Sequence, residues 1–408
     1  MSDRPELMRD EALRTAFFRH VCQTSPEPLG LVVARAAGAT VWDAHGRAYL
    51  DLLSGIGVAN VGHCHPDVVR AVQEQAARYL HVMVYGEAIQ APQVELARQL
   101  AALTPGDLDV VFFTNSGAEA VEGALKTARK FTGRRGFIAF NGSFHGDTFG
   151  ALSVGGNPVY RRPFEPLLSD VRFLSFDDVN AVAQIDNSTA AVIVEPIQGE
   201  GGVRVPHDEF LPALRRRCTE VGALLIFDEV ITGFGRSGRV FACEHWAVTP
   251  DILVVAKALG GGMPLGAFIG RRALMETLSH DPPLAHVTTF GGHPVSCAAG
   301  LAALNVLVRE QLAARAAQLG EQWRAHLSQH LGERLRDVRG KGLLIGLEFV
   351  DADATQRFAR ACFARGLIVN WTLHRDTVIR LAPPLVITDE ESQSALARLS
   401  ESLGSLTP

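Results

Sequence analysis

Apolar and polar positions divide the chain into stretches of different period. Between about residues 109 and 270, short apolar runs at 110–114, 136–140, 171–173, 190–195, 223–228, 252–256 and 267–270 read as buried strands. Helical patterns separate several of them, notably 119–130 and 209–220. This alternation predicts an α/β fold with a mainly parallel sheet, whose ligands collect beyond the carboxyl ends of the strands. Upstream, 31–52 alternates as a β-hairpin with DAHG (43–46) as its turn. Ser54-Gly55-Ile56-Gly57 then breaks the pattern, either as a plain loop or to let a ligand approach the backbone. Amphipathic helices follow at 66–80, with Val68, Val69, Val72 and Ala76 on one side, and at 93–103, stopped by Pro105-Gly106. Past 270 the pattern predicts one long helix at 297–317 and a helix to about 331. It then predicts strands at 343–349, 367–370 and 378–381 and helices at 354–365 and 390–403. The implied domains are an N-terminal segment (1–60) packing with the small domain, a large domain (61–300) and a small α+β domain (301–408).

Composition narrows the function. With 408 residues, 47% hydrophobic and 20% charged, the chain can bury a large core. A net charge of −5 argues against nucleic acid or anionic lipid as partner, and no apolar run reaches the ~20 residues of a membrane span. The first twenty residues mix both charges without a signal-peptide core, so the expected compartment is the cytoplasm. The six cysteines are scattered without a CxxC pair, which fits reduced thiols. In His63-Cys64-His65 only the two histidines could share a metal, and no metal site is expected.

The candidate chemistry gathers at strand ends. Of four lysines, Lys257 alone ends a buried strand, in PDILVVAKALGGG. An ammonium is costly to desolvate there, whereas a neutral amine is a nucleophile able to form a Schiff base. The alternative is a lysine snorkelling to solvent. Strand 110–114 runs into Asn115-Ser116-Gly117-Ala118-Glu119, where a helix begins. That turn is either an anion site of backbone N–H groups or an ordinary Ser116 cap with Glu119 closing a capping box. Strand 223–228 delivers Asp228, which can hold a proton on a heteroaromatic nitrogen or merely cap the next turn. Glu195 and Glu200 flank a glycine-rich loop, EPIQGEGG, and NGSFHG puts Phe144 and His145 near the same rim. An anion site, an acid, a stacking ring and a strand-end lysine together match pyridoxal 5′-phosphate (PLP).

The chain resembles the class III, fold-type I, PLP-dependent aminotransferases over nearly its whole length. The resemblance rests on YLDLLSGIGVANVGHCHP, FFTNSGAEAVEGALKTAR, FHGDTFGALS, VEPIQGEGG, LIFDEVITGFGRSG, PDILVVAKALGGGMPLGA, TTFGGHP, RGKGLLIGLEF and IRLAPPL. Within the family it is most similar to the ornithine, acetylornithine and putrescine group. The resemblance implies that Lys257 binds the cofactor covalently and shuttles the proton, while Asp228 pairs with the ring nitrogen. It implies that Ser116, Gly117 and Ala118 hold the phosphate and that Phe144 and Val230 cover the ring faces, with His145 and Glu195 beside the cofactor. Thr289 would reach the phosphate of a partner subunit. Arg380 would grip a substrate carboxylate with Glu200 as its gate, and Tyr85 is a further substrate contact. A homodimer or dimer of dimers follows.

Two positions depart from the family pattern. In DEVITG, Ile231 replaces the glutamine of DEVQTG, so a polar contact to the cofactor's phenolate is lost or replaced. In FHGDT, Asp147 replaces an arginine that holds a distal carboxylate; an acid there either suits an ammonium instead or turns away and only caps the loop after Gly146. The expected reaction is ping-pong transfer of a terminal amine from a diamine or basic amino acid to 2-oxoglutarate. The alternatives are acetylornithine or 4-aminobutyrate as donor, an aminomutase, epimerase or decarboxylase on the same fold, and a non-catalytic PLP-binding protein.

Overall fold

The structure is a computed structural model and describes residues 10–26, 28–84, 86–332 and 334–406. Three sheets organise it. The central one has strands β4 (Val110–Thr114), β5 (Gly136–Phe140), β6 (Val171–Leu174), β7 (Thr189–Val194), β8 (Leu224–Asp228), β9 (Ile252–Val255) and β10 (Gly266–Gly270), in the order β4-β10-β9-β8-β7-β5-β6. An N-terminal sheet orders β1 (Val33–Ala37), β2 (Thr40–Asp43), β3 (Ala48–Asp51) and β13 (Leu367–Ile368). A C-terminal sheet orders β11 (Asp337–Lys341), β12 (Leu344–Glu348), β15 (Arg375–Leu381) and β14 (Asn370–Thr372).

Every expected central strand is present, and the sheet is parallel except at β10, antiparallel to both neighbours. Because β10 alone is reversed, β4 runs with the remaining strands. The carboxyl ends of β4, β5, β7, β8 and β9 therefore meet on one rim, and the start of β10 joins them. Both faces are buried: Val192, Phe227, Leu253 and Val255 face one apolar cluster, and Ala191, Ile226, Ile252 and Val254 the other. That explains the continuous apolar runs of these strands, since neither face alternates with water.

Two expectations on secondary structure are corrected. The long helix at 297–317 is two helices, Pro294–Arg309 and Leu312–Leu327, separated at Glu310-Gln311. Gln311 has φ +50°, a left-handed turn taken without the glycine that would have announced it. The expected strands omit β11, which pairs residue by residue with β12 and ends at Gly340-Lys341 before the turn at Gly342-Leu343. The DAHG turn joins β2 to β3, with Asp43 accepting from the N–H groups of His45 (3.0 Å) and Arg47 (2.8 Å). β3 continues into the C-terminal part of the chain through parallel pairing with β13. His63 is hydrogen-bonded to Asp51 (2.7 Å), and His65 caps helix Pro66–Arg78 by accepting from Asp67 N–H. No helix among the described residues is long and apolar enough to cross a membrane.

Candidate active site

The rim opens into a cavity of about 410 Å³ lined by residues from every one of those strand ends. Ser116, Gly117 and Ala118 form its side at the end of β4. Ser116 caps helix Gly117–Thr132, accepting from Glu119 N–H at 3.2 Å. The Glu119 carboxylate closes on Asn115, accepting from its N–H and its amide nitrogen at 2.8 Å each, one residue earlier than a standard capping box. The cap thus holds together with an anion-type site, because the first N–H groups of the helix keep no intrahelical acceptor. The turn fits tightly. A Cβ on Gly117 would lie 3.0 Å from both methyls of Val230, and one on Gly146 (φ +118°) only 2.5 Å from Ala118 Cβ.

Across the cavity Asp228 ends β8, 4% exposed. Its Oδ2 accepts from His145 Nδ1 at 2.7 Å, and its Oδ1 accepts from Val230 N–H at 3.0 Å. Both hydrogen bonds hold the carboxylate in one orientation. Lys257 follows β9 and opens a 3-10 turn with φ +48°, a conformation rare for a side chain of this size and common at functional sites. Burial pulls its ammonium pKa below the ordinary value, helped by the charge of Arg380 and opposed by Glu200, Asp228 and Glu195. Glu195, 4% exposed, is pushed well above the ordinary carboxyl range by burial and then by the charges of Asp228 and Glu200, although Phe144 N–H donates to it.

Glu200 and Arg380 form a buried ion pair at the boundary with a second, outer chamber of about 720 Å³, which shares Phe144, Glu200 and Lys257 with the first. Burial works against the Glu200 charge, but Arg380 and the Leu373 N–H (2.8 Å) hold its pKa below the ordinary carboxyl range.

Of the residues expected at the site, Ser116, Gly117, Ala118, Phe144, His145, Glu195, Glu200, Asp228, Val230 and Lys257 line the inner cavity, and Arg380 lines the outer one. Thr289 is exposed and lines neither; its neighbour Thr288 accepts from Asn115 Nδ2 at 3.1 Å. Asp147 is likewise exposed and lines neither chamber. Tyr85 lies outside the described residues. Ile231 lines the inner cavity, pressed between Gly57 and Gly199, with no polar atom to offer. The sequence reading missed Tyr160, Trp371, His374 and Asp376 of the outer chamber. They come from the short helix Pro158–Arg161 and from the β14–β15 hairpin, whose approach to the rim no local pattern announces.

Residues 21–403 match the sequence profile of Aminotransferase class-III. The chain is a class III aminotransferase. It is 48% identical to the acetylornithine aminotransferase of Methanopyrus kandleri, over 94% of this chain and 96% of that one. It is 45% identical to the putrescine aminotransferase of Pectobacterium atrosepticum, over 92% and 83% respectively. Among solved structures, an ornithine aminotransferase from Toxoplasma gondii superposes with a TM-score of 0.91 at 36% identity, covering 98% of this chain and 95% of the other, and is described with PLP at its active site. The fold is thus that of the fold-type I enzymes, and class III aminotransferases depend on PLP.

This cavity fits that cofactor. The anion-type turn, the oriented acid and the lysine amine all line it. Buried polar atoms without a protein partner, His145 Nε2 and Glu195 Oε2, belong to residues of the same wall.

Proposed function

We propose that this aminotransferase moves the terminal amine of a diamine or basic amino acid to 2-oxoglutarate in two successive half-reactions. The observation that carries the reading is the charge distribution beyond Lys257. Among the described residues, the only cation lining the outer chamber apart from Lys257 is Arg380, and Glu200 already neutralises it, so the other charge there, on Asp376, is acidic. A dicationic donor suits that field, and a dicarboxylate acceptor has Arg380 to displace Glu200 from.

PLP supplies the electron sink for negative charge that develops on the amine-bearing carbon. In this chain Ser116, Gly117 and Ala118 would hold its phosphate, Phe144 and Val230 its ring faces, and Asp228 the proton on its ring nitrogen. His145 keeps Asp228 oriented, and Glu195 borders the ring. Lys257 would carry the covalent attachment and then, as a free amine, would move a proton between the two carbons that flank the transferred nitrogen, a role its burial favours by lowering the cost of the neutral form.

We further propose that the enzyme is a homodimer or a dimer of dimers in which Thr289 reaches the cofactor phosphate of a second copy. Its exposure and its distance from its own cavity's lining support this, as does the Asn115–Thr288 contact that ties its loop to the phosphate turn.

A donor panel with 2-oxoglutarate, read as glutamate formed, tests the substrate reading. Putrescine, cadaverine, ornithine and lysine should exceed N-acetylornithine and 4-aminobutyrate in kcat/KM. N-acetylornithine as the best donor would replace the proposal.

A further inference from the structure

The outer chamber contains its own recognition chemistry. Its charged lining groups are Lys257, Glu200, Arg380 and Asp376. Lys257 stands at the inner boundary, where Glu200 pairs with Arg380 and accepts from Leu373 N–H. Asp376 is different. It is exposed to the chamber, and among the described residues no ion pair or hydrogen bond engages its carboxylate. Its neighbour Arg375 is turned to Glu348.

β15 explains the arrangement. Asp376 and Arg380 are four residues apart on one strand, up to roughly 13 Å along it, and both line the chamber, with the β14 register shifting between them. Arg380 is therefore deep (2% exposed) and Asp376 at the mouth, too far apart to neutralise each other.

Aromatic faces flank the acid. Tyr160 stacks on His374 at 5.0 Å with an interplanar angle of 29°. The pair is pinned: Tyr160 Oη donates to Leu373 O at 2.9 Å, and His374 Nδ1 donates to Gly142 O at 3.2 Å. Trp371 completes the wall. A free carboxylate beside fixed aromatic rings is a setting for an alkylammonium, which gains from both. The local field agrees: the Tyr160 phenol is pushed up by burial and then by Asp376, Glu200 and Asp147. Asp147 thus acts on this chamber from outside its lining.

We propose that Asp376, with the Tyr160 and Trp371 rings, is the subsite that binds the distal ammonium of the amino donor, and that Asp147 contributes only a longer-range field. This rests on the diamine reading above and assigns the residue that enforces it.

The test compares putrescine with 1-butylamine, which lacks the second cation. Asp376→Asn should lower the putrescine-to-butylamine ratio of kcat/KM by at least about tenfold, chiefly through KM, as loss of a charge-assisted contact requires. On borohydride-reduced enzyme, which cannot turn over, calorimetry should show the Kd for putrescine rising by a similar factor. Asp376→Lys should lower the ratio further and improve 4-aminobutyrate relative to putrescine. The proposal is overturned if Asp376→Asn leaves the ratio within twofold of wild type, or if Asp147→Asn lowers it more than Asp376→Asn does. A wild type that accepts butylamine as readily as putrescine would instead sink the diamine reading itself, before any variant is made.

Discussion

Asp228 and Glu229 are adjacent acids with opposite surroundings. Asp228 faces the cavity and His145, whereas Glu229, fully buried, accepts from the N–H groups of Ala242 (2.6 Å) and Cys243 (2.8 Å) and from Thr232 Oγ1 (2.9 Å). Strand alternation separates the two, so only one can serve the cofactor. Asp228→Asn should fold normally yet lose about 100-fold or more in kcat, because an amide cannot hold a ring nitrogen protonated; a variant within tenfold of wild type would remove Asp228 from the cofactor. Lys257→Ala should bind PLP only non-covalently and show no transamination. Borohydride reduction and peptide mapping of wild type should label Lys257, and a label on Lys126, Lys130 or Lys341 would move the site. Glu195 adds a pH signature. Its pKa is raised in the fold, so the folded state binds the proton more tightly than the unfolded chain. Its contribution is whole below the ordinary value of 4.5 and is lost as pH rises through the folded value. Lys257 is shifted the opposite way, and its stability contribution grows toward its ordinary value of 10.5, so the two must be separated. The Tm difference between wild type and Glu195→Gln, measured without PLP, should therefore turn against wild type as pH rises above 4.5. Parallel Tm–pH curves would show that Glu195 is ionised as usual. Lys257 was legible in the sequence because an ammonium at a buried strand end needs a reason. Glu195 was expected beside the cofactor, but its raised pKa comes first from burial that only the fold creates, and then from the charges of Asp228, on another strand, and Glu200.

The same distinction holds for whole elements. Parallel strands buried on both faces announce themselves as apolar runs, which is why β4 to β10 could be read from pattern alone. The Ser116 turn was ambiguous between cap and anion site; the structure shows the cap, which uses the hydroxyl and leaves the first N–H groups free to hold an anion. What could not be read are features set by distant partners. The break at Gln311 is one, as is β11, which closes on Gly340-Lys341 and whose strand character comes from pairing with β12. Arg236 is the clearest. It sits fully buried in a glycine-rich stretch that looks like loop, yet it donates to Leu343 O, Pro383 O and Asn60 Oδ1. One guanidinium thus ties the segment after β8 to the N-terminal turn and the C-terminal sheet. Arg236→Met should lower Tm sharply, since each buried acceptor left unpaired costs about 1–3 kcal/mol, while kcat per folded molecule stays within a few-fold. An unchanged Tm would show that the network contributes little.

At the scale of the whole molecule, the site is assembled across its parts. The inner cavity belongs to the central sheet, but the arginine that borders it is carried by β15 of the C-terminal sheet, and the Glu200–Arg380 pair spans the two. Arg380 is needed most by a substrate with a carboxylate. A diamine has none, and 2-oxoglutarate has two. Arg380→Ala should therefore raise the KM for 2-oxoglutarate at least about tenfold more than that for putrescine, as loss of a charged hydrogen bond implies. The Glu200 carboxylate competes for the same guanidinium, and its depressed pKa keeps it ionised and paired through neutral pH. Glu200→Gln weakens that competitor without emptying the space, so it should lower the KM for 2-oxoglutarate while leaving the KM for putrescine nearly unchanged. The two substitutions thus push one half-reaction in opposite directions. Steady-state kinetics with each substrate varied at saturating partner separates them: equal changes for donor and acceptor in both variants would mean that the donor also brings a carboxylate to Arg380, and ornithine or 4-aminobutyrate would then replace the diamine.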